Sequence, residues 1–342
     1  MRVFGKSPTN AFLRLNQRLW KTLSPSLVRL RPLEWYGRFL HGLARIQGVR
    51  AQAPNTFFLR NRPQLDLMQR LLSCKKTGDT VRVAVLGCST GAEVYSIAWA
   101  IRKARPDLRL VVHAVDVSNE AVEFARRGVY PRNAKLALNH IRDCMAAGHW
   151  RVGEPGSDLV GSEIFERMTE REMAEFFDLH EDAAVVKDWL REGIDWGVAD
   201  VREAEIADKM GLHDIVVASN FLCHMERSEA ERCLRNIVSL VVSRGLLIVS
   251  GIDLDIRQKV ACDLGWEPVA DLLEEIHDGD SCLRGQWPFE YAGLEPLNKR
   301  RRDWQTRYAA AFQVVSPATN GQRLHYDGTT SLEELKPQNT KA

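Results

Sequence analysis

This chain of 342 residues has no long hydrophobic run. Its longest apolar stretches, such as 246–249, are far shorter than the roughly 18 residues that a membrane span needs. The first 20 residues lack the continuous apolar core of a secretory signal. From these absences we expect a cytoplasmic protein with no transmembrane segment.

The sequence is also poor in the features of disulfide scaffolds and metal sites. Its seven cysteines are odd in number and form no CxxC pair, which indicates reduced thiols. Acidic, histidine and cysteine residues gather at 274–282, but they mix hard and soft ligands without a recognised metal-ligand spacing. We therefore expect no metal site.

What the chain does have is a globular composition with an uneven distribution of charge. Apolar residues make up 45% and charged residues 27% of the sequence. Residues 1–50 carry ten Lys or Arg and a single acid, Glu34, a net charge of +9, whereas the other 292 residues sum to −7. Two interpretations follow: this arm recruits an acidic partner, or it docks on its own acidic body.

The basic arm has the apolar periodicity of helices. Apolar residues recur at helical spacing over 12–23 and again over 33–46, and Pro25 and Pro32 lie where one helix ends and the next begins. A third helix is predicted over 64–73. Residues 1–75 are therefore predicted to form a basic helical N-terminal region.

From residue 76 onward, short apolar strands alternate with helices. Strands are predicted at 81–86, 109–115, 196–198, 213–219, 245–250 and 309–315, and the helices between them include one at 228–242. This alternation is typical of an α/β fold, a Rossmann-like, doubly wound, mostly parallel sheet with helices on both faces. We expect one domain over 76–315 with an insertion at 132–195, followed by a disordered tail at 316–342.

The first predicted strand runs directly into a glycine turn and a helix. Gly87 and Gly91 permit a tight turn and a close approach of ligand to backbone. Asp116 ends the second strand, where an acid accepts hydrogen bonds from ribose hydroxyls in doubly wound folds. These three residues suit NAD and S-adenosylmethionine equally.

Two neighbouring residues distinguish these cofactors. Ser89 stands where a pyrophosphate-binding turn has its middle glycine. Glu93, in the first turn of the helix, would repel a pyrophosphate but suits a sulfonium or an ammonium group. Since S-adenosylmethionine carries both cations and no phosphate, the pattern favours S-adenosylmethionine.

The same residues resemble a known family. GCSTGAEVYS (87–96) is similar to the GCSTGEEPYS signature of the CheR family, the chemotaxis receptor methyltransferases. Further segments are similar to that family's motifs, in the same order: NTFFLRN (55–61), VHAVDVSNEAVEFARRGVYP (112–131), DIVVASNFLCHM (214–225) and SRGLLIVSG (243–251). The resemblance covers residues 54–252. It implies a class I methyltransferase that uses S-adenosylmethionine and releases S-adenosylhomocysteine.

The resemblance also implies where that cofactor binds. The implied contacts are Thr56, Arg60, Gly87, Ser89, Gly91, Glu93, Asp116, Asp200, Val201, Asn220 and Phe221. Among them, Asp200 and Val201 would flank the adenine, and Asn220 with Phe221 would line the site of methyl transfer.

The departures from the family pattern concern the methyl acceptor. Ser219 replaces the Arg that precedes the active-site Asn, and His224 replaces the Tyr four residues after it. Residues 287–308 are not part of the pattern, and the family's three-helix receptor-binding module is not recognisable in residues 1–50.

Three functions remain open at this point. The resemblance implies O-methylation of a protein carboxylate, with Asn220 at the reacting methyl. A small molecule or another protein side chain could instead be methylated, with His224 as the general base. The third hypothesis is a module that binds the cofactor without catalysis.

Overall fold

A computed structural model describes residues 8–28, 30–47, 56–132, 163–279 and 281–314. The strands are β1 Thr80–Leu86, β2 Arg109–Asp116, β3 Val129–Pro131, β4 Phe177–Leu179, β5 Ala183–Val186, β6 Ile194–Val198, β7 His213–Ser219, β8 Val241–Ser250, β9 Glu267–Pro268 and β10 Ala311–Val314. In these ranges no helix has both the length and the apolar character needed to cross a membrane.

The α-helices lie before, between and after these strands. They are α1 Pro8–Trp20, α2 Pro25–Val28, α3 Arg31–Gln47, α4 Arg62–Leu71, α5 Ala92–Ala104, α6 Asn119–Arg127, α7 Glu170–Phe176, α8 Asp188–Arg191, α9 Ile206–Met210, α10 Arg227–Ile237, α11 Leu254–Asp263, α12 Leu273–Asp278, α13 Ser281–Gln286 and α14 Trp304–Tyr308.

Seven strands form the main sheet, in the order β6-β2-β1-β7-β8-β10-β9. The first five run parallel, and β10 is antiparallel to both of its neighbours. The chain builds outward from β1 to one side and then returns through β7 to the other. The predicted doubly wound, mostly parallel sheet is therefore confirmed.

The sheet separates two apolar cores. Alternate residues of β1 enter different cores, with Val83 and Val85 in one and Ala84 and Leu86 in the other. All four are fully buried, as is typical of a central parallel strand covered by helices on both faces. This double burial explains why β1 reads as a nearly continuous apolar run.

A second, three-stranded antiparallel sheet has the order β3-β5-β4. Two of its aromatic residues, Tyr130 of β3 and Phe177 of β4, contact Phe58 edge to face. The ring centroids of these pairs are 5.0 Å and 5.1 Å apart. Strands β4 and β5 of this sheet lie in the predicted insertion at 132–195, whereas β3 ends just before it, at Pro131. Residues 133–162 of that insertion lie outside the described residues, as does the predicted tail at 316–342.

The basic arm packs on the body of the protein. Trp20 at the end of α1 contacts Trp287 edge to face, with ring centroids 5.5 Å apart. In α3, Arg45 forms an ion pair with Asp253 at 2.5 Å, and His41 Nδ1 lies 3.2 Å from the carbonyl oxygen of Pro288. These contacts support docking of the arm on its own body, the second interpretation of its charge.

One predicted element is wrong at its end. The helix expected over 228–242 ends at Ile237, and Val241 already begins β8, which pairs with His213 of β7. The register between these strands shifts before Ile215, and Arg244 adopts a left-handed φ of 63°. Val241 joins the sheet because β7 offers it a partner in His213, which helical spacing alone does not reveal.

Candidate active site

A cavity of about 240 Å³ lies at the carboxyl ends of β1, β2 and β7. The chain reverses its direction of sheet growth between β1 and β7, and such switch points leave a crevice where doubly wound proteins bind ligands. We call this the first cavity. It brings together residues that are up to 173 positions apart, from Thr56 to Glu229.

Eleven of the twelve site residues predicted from the sequence line the first cavity. They are Thr56, Arg60, Gly87, Ser89, Glu93, Asp116, Asp200, Val201, Asn220, Phe221 and His224. Their positions agree with the predicted cofactor site, while the role of each one stays a prediction.

Gly91 is the exception. It does not line the first cavity, and a Cβ at this position would lie 2.8 Å from the Cβ of Ala125 and 3.0 Å from the Trp196 ring. Its φ of 85° starts α5 in a left-handed conformation. Close packing of α5 on α6 and β6 therefore accounts for a glycine at position 91, and its predicted contact with the cofactor stays a prediction.

The turn after β1 is held by the acid at the end of β2. The backbone N–H of Ser89 donates to Asp116 Oδ2 at 2.8 Å, and that of Ser118 donates to Oδ1 at 3.0 Å. Asp116 is only 8% exposed, and burial raises the pKa of its carboxyl, while the two N–H groups act in the opposite direction. The pair of hydrogen bonds holds the carboxylate at the cavity wall.

Gly87 lets the backbone approach closely on the other side of this turn. It has a φ of 68°, and a Cβ here would lie 2.8 Å from Cδ1 of Phe221. Any larger residue would push the Phe221 ring out of place. The missing side chain thus sets the distance between the ends of β1 and β7.

Glu93 is a second carboxylate at the cavity wall. Burial raises its pKa, and the nearby Arg60 and Gln64 counteract that rise. A carboxylate of this kind is stabilised by a cationic ligand placed beside it. Glu93 therefore fits the cationic groups of S-adenosylmethionine, as the sequence predicts.

The turn after β7 has an unusual backbone. Asn220 adopts a left-handed φ of 59°, and its N–H donates to the carbonyl oxygen of Ser250 at 3.0 Å. Gly251 lies so close that a Cβ there would be 2.4 Å from the Cα of Asn220. Within the described ranges, Asn220 Oδ1 is buried without a hydrogen-bond partner. A buried acceptor of this kind calls for a donor from a ligand.

His224 follows this turn and is held by a residue from the far end of the chain. Its Nδ1 lies 2.9 Å from the hydroxyl of Tyr291, and the two rings meet edge to face. This hydrogen bond orients the imidazole relative to the first cavity. Tyr291 belongs to a segment that we call the cover segment (residues 283–295).

A second cavity of about 60 Å³ adjoins the first. The two share Arg60, Glu93, Ser219 and Asn220, and the second also reaches Tyr291 of the cover segment. Its lining includes the buried side chains of Arg257 and His277. Burial lowers the pKa of His277 to about 4, so that its imidazole is neutral at physiological pH.

Sequence reasoning did not predict a ligand-binding role for several residues that line only the second cavity. Arg257, His277 and Tyr291 lie in stretches with no recognisable motif. The one available signal is that Arg257 interrupts an otherwise helical, partly apolar segment, and this pattern is too common to identify a site.

The chain is similar in sequence to known methyltransferases. Residues 54–149 match the family model described as CheR methyltransferase, SAM binding domain. The probable biofilm formation methyltransferase WspC of Pseudomonas putida is 24% identical over 216 residues, which are 62% of this chain and 43% of that protein. WspC of Pseudomonas aeruginosa is 37% identical over 86 residues, which are 24% of this chain and 20% of that protein. The chain thus matches less than half the length of these curated relatives.

Solved structures show weaker similarity. Magnesium protoporphyrin IX methyltransferase from Synechocystis PCC 6803 is 16% identical with a TM-score of 0.30, and the match covers 69% of this chain and 87% of that one. An O-methyltransferase family protein from Burkholderia thailandensis is 12% identical with a TM-score of 0.31, covering 91% and 72%. The fold assignment rests on the strand order given above.

The residues matched by the family model include several that line the first cavity. The matched range contains the glycine turn, Glu93 and Asp116, which together form one wall of the first cavity. The residues also fit the cofactor, because Glu93, Asp116 and the unpartnered amide oxygen of Asn220 line a cavity that would suit a ligand carrying cations and no phosphate. The part of the chain that builds this wall is therefore similar to the S-adenosylmethionine-binding domain of CheR methyltransferases.

Proposed function

We propose that this protein transfers the methyl group of S-adenosylmethionine to a carboxylate oxygen. The observation that carries this proposal is the junction of the two cavities at Ser219 and Asn220. A cofactor in the first cavity and an acceptor in the second would meet at this junction. The lining of the second cavity includes Arg257, a buried guanidinium with no ion pair to a carboxylate among the described residues, and this favours an anionic acceptor.

In this mechanism the residues of the chain bind the cofactor and align the acceptor with its methyl group. Asp116 would accept hydrogen bonds from the ribose, and Glu93 would face the cationic groups of the cofactor. The bound cofactor supplies an activated methyl group. A carboxylate acceptor has a pKa near 4.3, is ionised at neutral pH and needs no base, so alignment is the main contribution of the protein. Asn220, held by Ser250 and Gly251, would set the line of attack.

A second candidate is transfer to a hydroxyl or an amine. The hydrogen bond between His224 Nδ1 and Tyr291 favours this possibility, because it would orient the imidazole as a general base. Such a base typically contributes about 10²–10⁴-fold to a rate. Binding of the cofactor without catalysis is the third hypothesis, and turnover distinguishes it from both enzymes.

The test uses the full chain, methyl-labelled S-adenosylmethionine and candidate acceptors, including extracted proteins and small organic acids. A carboxyl methyl ester releases labelled methanol in mild base, whereas N-methyl and ordinary ether products do not. Base-labile label supports the proposal, and base-stable label supports His224 as a base instead. If no label is transferred while S-adenosylhomocysteine binds, the non-catalytic hypothesis is favoured.

A further inference from the structure

Arg257 is a buried cation without an acidic partner. It is 3% exposed, and its Nη1 and Nη2 donate to the carbonyl oxygens of Val249 at 2.8 Å and Arg307 at 3.0 Å. Its Nε has no hydrogen-bond partner among the described residues. Across the ranges that the structure describes, no carboxylate oxygen lies within 4.0 Å of the Arg257 guanidinium.

The neighbouring Arg307 shows how this protein otherwise treats a buried guanidinium. Arg307 is also buried, at 4% exposure, but it forms ion pairs with Glu295 at 2.7 Å and Asp255 at 2.8 Å. Burial of an unpaired charge costs free energy, and charged side chains in protein interiors are therefore usually paired with an opposite charge. Burial lowers the pKa of Arg257 to about 9, with Arg307 acting in the same direction. An anion beside Arg257 would relieve this cost.

The space next to Arg257 is the second cavity, and it is small. Its volume of about 60 Å³ has room for roughly four to six water molecules, which is the scale of a small organic acid. One end lies at Ser219 and Asn220, next to the first cavity, and the lining continues to Arg257 and Tyr308.

The cover segment is firmly attached over this cavity. Phe289 is 7% exposed and packs with Leu13 and Leu40 of the arm. On the body, the Glu295 carbonyl oxygen lies 2.9 Å from Nε2 of His277. A cover held at its middle and at its C-terminal end favours an acceptor that enters as a small molecule over one presented on a protein surface.

We propose that the second cavity binds a small dicarboxylate, with one carboxylate paired to Arg257 and the other at Ser219 and Asn220 as the methyl acceptor. This inference rests on the proposed function. A carboxylate held by a guanidinium is a weaker nucleophile, so the distal carboxylate reacts. Its oxygen forms a bond to the methyl carbon as the carbon–sulfur bond breaks, the sulfonium becomes a neutral thioether, and no proton moves.

The test is calorimetric titration of the full chain, saturated with S-adenosylhomocysteine, with succinate, glutarate and glutaramide. We expect a diacid to bind and the uncharged diamide not to bind. Arg257→Gln should weaken diacid binding by about tenfold to a hundredfold, as expected for charge-assisted hydrogen bonds, while leaving the affinity for S-adenosylhomocysteine unchanged. Arg235→Gln, which removes a half-buried cation of α10 that lines neither cavity, is the matched control.

Equal binding of diacid and diamide, no binding of either diacid, or full diacid affinity in Arg257→Gln would overturn the inference. If Arg257→Gln does not fold, Ala292→Phe tests the same site, because it fills the cavity from the cover segment and retains the cation. Diacid binding that survives Ala292→Phe also contradicts the inference.

Turnover separates this inference from the proposed function. If diacids bind through Arg257 but no base-labile methyl ester forms, the dicarboxylate site stands and carboxyl methylation fails. If a protein carboxylate is methylated while the diacids do not bind, the proposed function stands and the dicarboxylate site fails.

Discussion

The two cavities of this protein are built in different ways. The first is assembled almost entirely from residues that follow β1, β2, β6 and β7, so its parts are placed by the sheet itself. The second takes its wall from α3, from α11 and from the cover segment, which the chain brings together from both ends. A binding site at the carboxyl ends of strands tolerates sequence changes in the surrounding segments. A site made of docked segments depends on each contact that docks them.

The largest expected effect is loss of the docked cover. Phe289→Ala removes a buried ring from the contact with Leu13 and Leu40, and such truncations cost about 3–5 kcal/mol. We expect unfolding of the arm and cover at lower denaturant concentration, measured by tryptophan fluorescence, while S-adenosylhomocysteine still binds. Trp35→Ala is the control, since Trp35 is 67% exposed. Equal stability of both variants would show that the cover is not held by the arm.

Next in size is a substitution at the junction of the two cavities. Gly251→Ala places a Cβ 2.4 Å from the Cα of Asn220, which must displace the turn after β7. Overpacking of this kind costs about 1–3 kcal/mol, and we expect methyl transfer to be lost as well. Gly265→Ala has a similar left-handed φ but open space around its Cβ, so it isolates the cost of backbone strain. Equal activity of the two variants would contradict a role of the junction.

The third prediction concerns the first cavity alone. Asp116→Ala removes the acceptor of ribose hydrogen bonds, and the affinity for S-adenosylhomocysteine should fall by about tenfold to a hundredfold in calorimetry. Asp188→Asn, on a side chain that is 98% exposed, should leave the affinity unchanged. If Asp116→Ala binds as tightly as the wild type, the assignment of Asp116 is wrong.

A smaller effect is expected from pH. Because burial raises the pKa of Glu93, its carboxyl stays protonated to a higher pH in the folded protein than in the unfolded chain. The stability of the ligand-free protein should therefore fall as pH rises from the ordinary carboxyl pKa through the raised one. Over the same window, the affinity for S-adenosylhomocysteine should rise, since its ammonium group favours the ionised carboxylate.

Glu93→Gln should flatten this pH dependence of affinity, measured by titration from pH 4 to pH 8. Glu203→Gln, on a half-exposed acid outside the first cavity, is the control for general charge effects. A slope that persists unchanged in Glu93→Gln would assign the titration to another group.

The smallest expected effect is at His224. With a carboxylate acceptor, His224→Tyr should keep the rate within a few-fold, with no inflection near pH 6.5. With a hydroxyl or amine acceptor, the rate should fall by about 10²–10⁴ and the wild-type rate should rise through the histidine pKa. Tyr291→Phe, which removes only the hydrogen bond to Nδ1, shows whether orientation of the ring matters.

How much the sequence could predict differs between the two cavities. Gly87, Ser89, Glu93 and Asp116 were all predictable, because a strand, a turn and a helix start impose fixed positions on neighbouring residues. Gly91 belongs to the same turn, yet it packs against Ala125 and does not line the first cavity. Local pattern identifies such a turn without telling which of its residues face the ligand.

The sequence by itself determined the doubly wound sheet, the glycine turn and the acid at the end of β2, since apolar periodicity and turn chemistry act over a few residues. Only the tertiary structure decided that the basic arm packs on the cover segment, that Tyr291 contacts His224, and that Arg257 is buried without an acid. Each of these depends on contacts between residues that are dozens to hundreds of positions apart. Long-range packing leaves no period in the sequence, and for that reason the second cavity emerges only when the chain is folded.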